Sequence, residues 1–149
     1  MSNAIPALFV ETFTLKPQYM VDTNICVYIA KNRPPEVRAR FAQMKPGQVV
    51  MSAITLGELQ SGASKSNQRA KAMAEIENLI QDVPVESLGM DAAEAYGEIR
   101  ADLQKQGCLI SGNDLWIASH AVALRVTLAT NNEREFRRVP GLTVENWTK

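Results

Sequence analysis

Five short apolar runs, at residues 19–21, 48–51, 83–85, 126–130 and 142–144, alternate along this chain with segments whose apolar residues recur every three or four positions. Runs of three to five residues with β-branched side chains suit buried strands, and the intervening segments suit helices. The helical pattern is carried by Ile25, Tyr28 and Ile29, then by Val37, Phe41 and Met44, and by Ile54, Leu56 and Leu59. It continues through Ala70, Met73, Ile76, Leu79 and Ile80, then Ala92, Tyr96, Ile99 and Leu103 with Asp91 as cap, and last Ile117, Ala118 and Ala121. Such alternation predicts an α/β fold: a mainly parallel sheet of four to five strands, with right-handed crossovers and helices on both faces. Pro84 places the third run near a sheet edge, since proline donates nothing to a strand ladder.

With 149 residues, 46% hydrophobic and 21% charged, one globular domain is expected, over residues 19–149. Residues 1–18 show no sustained period and read as an extension, either unstructured or in part a cloning remnant, with Met20 as an alternative start. The apolar stretch from Ala4 to Val10 is broken by a proline, lacks a basic leader and is far shorter than the roughly 18 residues of a membrane span. A soluble, cytoplasmic protein is therefore expected. Cys26 and Cys108 lack metal-ligand spacing, and the lone His120 excludes any scheme that needs two imidazoles. Sixteen basic residues against sixteen acidic ones give zero net charge, so any polyanion must be met by a local patch.

In open parallel sheets, ligands bind beyond the carboxyl ends of the strands. Asp22 follows the first strand directly, Glu58 lies within two turns of the second, and Asp114 opens the helix before the fourth. Each has a local alternative. Asp22 or Thr23 suits an N-cap, Glu58 stands at capping-box distance from Thr55, and Asp114 complements a helix dipole. Asp114, however, shares a stripe with Ile117, Ala118 and Ala121, and a charge on a core-facing stripe costs several kcal/mol unless it is paired. Three converging carboxylates require a cation, and the scarcity of His and Cys points to hard oxygen ligation, hence Mg²⁺ or Mn²⁺. Such ions bind substrate phosphates and activate water, which makes phosphodiester hydrolysis the expected chemistry.

Four segments carry a further resemblance. Residues 21–26 (VDTNIC), 52–59 (SAITLGEL), 112–118 (GNDLWIA) and 128–136 (LATNNEREF) resemble, in order and spacing, the PIN-domain toxins of the VapC type, and residues 139–147 (VPGLTVENW) are similar to their ending. The resemblance spans Tyr19 to Trp147 and implies a PIN-like three-layer α/β/α sandwich. It also implies a Mg²⁺- or Mn²⁺-dependent endoribonuclease, the toxin of a bacterial toxin–antitoxin pair, with some relatives cutting transfer RNA. Asp22, Glu58 and Asp114 match the family's three acidic positions. The fourth, an aspartate in many PIN domains, is Asn132 here, with Glu135 the nearest acid. The roles expected are Asp22 and Asp114 as direct or water-mediated metal ligands, and Glu58 as a ligand or as the group that orients or deprotonates the attacking water. Thr130 and Asn132 would hydrogen-bond ligands or metal waters.

Arg134 and Arg138, just past the catalytic turn, are expected to meet RNA phosphates, and Lys31, Arg33, Arg38, Arg40 and Lys45 form an earlier basic group that suits either RNA or solvent. The family implies a small VapB-like antitoxin whose tail covers the acidic pocket, a homodimer, and a higher complex of the two proteins. Tyr28, Ile29 and Leu59 are candidates for its groove or for the core. A phosphoacceptor receiver lacks its acidic pair and lysine here, and a haloacid-dehalogenase-type site lacks its second aspartate, replaced by Asn24. The remaining alternative is a PIN-like module that binds RNA or a partner without cutting.

Overall fold

A computed structural model describes residues 16–149. Residues 1–15, most of the extension read at the start of the chain, lie outside the described residues; Gln18 already belongs to the domain, its carbonyl accepting from Thr127 N–H at 3.0 Å. The chain runs β1 (Tyr19–Val21), α1 (Thr23–Lys31), α2 (Pro35–Ala42), β2 (Val49–Ser52), α3 (Ala53–Ser64), α4 (Arg69–Asp82), β3 (Val85–Glu86), α5 (Met90–Lys105), α6 (Gly112–Leu124), β4 (Thr127–Thr130), α7 (Glu133–Phe136) and β5 (Val144–Asn146). All four strand pairings are parallel, in the order β3-β2-β1-β4-β5, with Met20 opposite Val50 on one side and Leu128 on the other.

Period-two alternation in the strands builds the two cores. Met20, Val50, Leu128 and Val144 face α5 and α6, where Ile99, Leu103, Leu115, Ile117 and Ala121 are buried. Their neighbours Val21, Val49, Met51 and Ala129 face the other way, against Ile25 and Cys26 of α1, Val37 of α2, Leu79 of α4 and Trp147. The result is the expected three layers, with β3 at the edge where Pro84 placed it. No helix among the described residues is long and apolar enough to cross a membrane.

The order of the strands decides where a ligand goes. From β1 the chain builds outward through β2 and β3, then returns to lay β4 and β5 on the opposite side of β1. The direction reverses between β1 and β4, and the connections leaving their carboxyl ends diverge to opposite faces, which opens a crevice there.

Three local features differ from expectation. Gly89, not Asp91, is the N-cap of α5; Asp91 lies in its first turn and accepts from Ala92 N–H at 2.9 Å. The last strand is Val144–Asn146 rather than 142–144, because Leu142 is still part of the turn through Gly141, whose φ of +79° suits glycine. The segment after Thr130 coils into the four-residue helix α7.

Candidate active site

Asp22 stands at the reversal point. It is 5% exposed and caps α1, one carboxylate oxygen accepting from Ile25 N–H at 2.9 Å. The capping role therefore holds, yet it uses only one oxygen. The other accepts from the hydroxyl of Thr130, the fully buried last residue of β4. Burial raises the Asp22 pKa, against the lowering effect of the bonds from Thr130 and Ile25.

Glu58 is in the second turn of α3. That helix is capped by Ser52, whose Oγ accepts from Ile54 N–H at 3.1 Å, so the capping-box alternative with Thr55 is not realised. Glu58 instead accepts from the Thr23 hydroxyl at one oxygen and from Asn113 Nδ2, 3.2 Å away, at the other. Both partners are neighbours in sequence of the other two acids.

Asp114 is the third residue of α6, partly buried, with Ile117, Ala118 and Ala121 fully buried along its stripe. Burial, followed by hydrogen bonding and repulsion from Glu135, pushes its pKa up to about 6. Glu135 moves the opposite way. Burial would raise it, but Asn132 Nδ2 at 3.0 Å, the shared bond with Asp114 and Ser111 N–H at 3.2 Å together lower it, with Arg138 adding attraction. Asn132 also donates its backbone N–H to Thr130 Oγ1 at 2.8 Å. The residue that stands in place of the family's fourth acid thus holds Glu135 against Asp114.

The acids feel one another, since Glu58 raises the pKa of both Asp22 and Asp114, but as the side chains lie no three Asp, Glu, His or Cys groups among the described residues are close enough to hold one ion. Thr23 holds Glu58, and Glu135 lies near enough to Asp114 to raise its pKa. None of the four acids takes part in the ion pairs among the described residues, which are Arg40–Glu145, Arg137–Glu133 and Lys149–Glu133. An all-oxygen donor set with excess negative charge and no basic side chain ion-paired to it among the described residues has the chemistry of a site for a hard divalent cation.

Around the acids stand groups that the sequence did not assign to the site: Thr23, Asn113, Asn24 and Asn131. Asn24 Nδ2 donates to Asn131 Oδ1 at 3.3 Å, tying the start of α1 to the end of β4. The signal for Thr23, Asn24 and Asn113 was adjacency to an acid; for Asn131 it was its place beyond a strand end. Arg134 and Arg138 are exposed on the α7 side. Arg40 is not free for a ligand, since it pairs with Glu145 and lies 5.3 Å from the Trp147 ring centre.

The PIN domain family matches residues 19–142. "Ribonuclease VapC2" of Haemophilus influenzae is 42% identical over 130 residues, covering 87% of this chain and 98% of the relative. "tRNA(fMet)-specific endonuclease VapC" of Shigella flexneri is 40% identical over 131 residues, covering 88% and 98%. Among solved structures, DNA-bound VapBC from Salmonella typhimurium superposes with a TM-score of 0.83 at 37% identity, over 88% of this chain and 98% of that one. Family, sequence relatives and strand-end acids agree, and the chain belongs to the PIN domain family, among its VapC ribonucleases.

Proposed function

We propose that this protein is a metal-dependent endoribonuclease, the toxin of a bacterial toxin–antitoxin pair acting in the cytoplasm, with transfer RNA as its substrate class. The observation that carries this reading is the set of four acids at the strand-order reversal, none of them ion-paired among the described residues, in a chain about 40% identical to a transfer-RNA endonuclease. Asp22 and Asp114, with Glu58, would hold Mg²⁺ or Mn²⁺, directly or through water. Bound there, the ion supplies a water of lowered pKa and offsets charge on the phosphate.

The chain's own residues do the positioning. Thr130 fixes the free oxygen of Asp22, and the cap bond fixes the other, so this carboxylate is oriented before any ligand arrives. Glu58, held between Thr23 and Asn113, orients the attacking water or accepts its proton. Glu135 occupies the fourth acidic place, and Thr130 and Asn132 support the ligands. Arg134 and Arg138 meet phosphates beyond the cut.

A groove of about 390 Å³ between α1, α3 and α4 is lined by Val27, Leu59, Ala63, Ile76 and Leu79, with Thr23 and Glu58 also on its wall. It suits the apolar side of a VapB-like tail whose basic residue reaches the acids. Solved VapBC complexes of Rickettsia felis and Salmonella typhimurium support such a partner. Dimerisation of the toxin completes the assembly.

The test is cleavage of a labelled transfer RNA by purified protein in Mn²⁺. Cutting should stop in EDTA and return when metal is restored. RNA that is bound but uncut in Mn²⁺ would instead favour the non-cutting module.

A further inference from the structure

Adjoining the apolar groove, with which it shares Val27 and Lys31, is a cleft of about 610 Å³ lined also by Tyr28, Arg33, Pro34, Pro35, Asn131 and Thr148. Its charge is one-signed: Lys31 and Arg33 are exposed, no acid lines the cleft, and neither cation forms an ion pair among the described residues. Helix-end complementation explains Lys31 alone, as it lies in the last turn of α1. It does not explain Arg33, which lies beyond the helix.

The cleft also joins the acids through a short polar chain. Asn131 Nδ2 donates to the Tyr28 hydroxyl at 3.2 Å, and Asn131 Oδ1 accepts from Asn24. Asn131 follows Thr130, the partner of Asp22, and Asn24 follows Thr23, the partner of Glu58. A chain of nucleotides whose scissile phosphate lies over the acids therefore has its next residue beside Asn131. There it meets an aromatic ring, proline surfaces, an exposed amide able to donate and accept, and two cations. This combination suits one base and its phosphates in single-stranded RNA.

We propose that this cleft is a nucleotide subsite, in which Lys31 and Arg33 hold phosphates flanking the cut, Tyr28 packs on the adjoining base and Asn131 reads its edge. The inference rests on the ribonuclease reading above, and it adds binding residues on α1 and the α1–α2 connection that the family's acidic positions do not include.

The test measures KM and kcat for cleavage of a labelled initiator transfer RNA transcript in Mn²⁺. Lys31→Ala/Arg33→Ala should raise KM about tenfold or more and leave kcat within about threefold. It should also flatten the dependence of log KM on log salt by about 0.7 for each phosphate that the variant no longer holds. Tyr28→Leu should lose efficiency on the intact RNA but not on transcripts made abasic at the nucleotide beside the cut. Unchanged KM and salt dependence in the double variant, with the wild type cutting normally, would overturn the subsite while leaving the nuclease reading intact. So would variants that cut normally but bind the antitoxin more weakly, which would make the cleft a protein-binding surface. A wild type that cuts no RNA would instead overturn the underlying reading.

Discussion

Asp22 has two jobs, and substitutions separate them. Asp22→Asn keeps an oxygen for the Ile25 N–H, whereas Asp22→Ala removes the cap and should cost about 1 kcal/mol, or roughly 2–4 °C in Tm for a domain of this size. Both variants should lose cleavage, so comparing their melting curves with their activities isolates the ligand role. Asp114 gives a prediction of unusual sign. Its pKa is raised to about 6 from 3.8, so between those values the folded state holds more protons than the unfolded one, and stability falls as pH rises through that window. In EDTA at pH 7.5, Asp114→Asn should therefore melt a few degrees above the wild type while cutting nothing; a lower Tm would contradict the cost assigned to its buried charge. The three acids were legible because Asp22 follows a strand, Glu58 lies within two turns of one and Asp114 opens a helix. Thr130 was expected to bond a ligand, and it bonds Asp22; the pairing of Thr23 with Glu58, 35 positions apart, left no local signal. A turn-type residue such as Asn131 also has ordinary local uses that hide a role at a site.

At the level of elements, α3 depends on a buried polar contact. Ser52 Oγ accepts from Ile54 N–H, which leaves its proton for His120 Nδ1, 2.8 Å away on α6. His120 is buried, and burial holds its pKa below the usual value despite Glu86, the Ser87 backbone and Asp91, which act to raise it. The unfolded chain thus binds the proton more readily, and stability should be lost as pH falls below about 6.5 toward the depressed folded value. Between pH 7.5 and 5 the urea midpoint of the wild type should fall relative to that of His120→Gln, since the other titrating groups act on both; parallel curves would rule this contact out as the cause. Leu103 is fully buried on α5 against the sheet face that also receives α6. Leu103→Ala should lower unfolding free energy by about 2–5 kcal/mol in a denaturant titration. Periodicity made the long helices plain, because one face of each is apolar. It could not reveal α7, since four residues hardly exceed one turn, and it misplaced β5 by two residues, since three-residue strands leave no room for alternation.

For the molecule as a whole, zero net charge conceals a division of labour. Acids gather where β1 and β4 end, Lys31 and Arg33 line a cleft on one side of them, and Arg134 and Arg138 are exposed on α7 and just after it. The parallel sheet was legible from alternating short runs and helical segments. The strand order was not, because it depends on where each crossover packs, and the order is what brings three scattered acids to one end of the sheet. A cation that binds only the folded state should raise Tm, so Mn²⁺ should stabilise the wild type and have little effect on Asp22→Asn. The central claim is that these strand-end carboxylates power RNA hydrolysis. Its most direct measurement is the cleavage rate of the same transfer RNA by wild type and folded Asp22→Asn in saturating Mn²⁺. The wild type should cut, with the variant slower by at least about a hundredfold at unchanged secondary structure; equal rates would contradict the account.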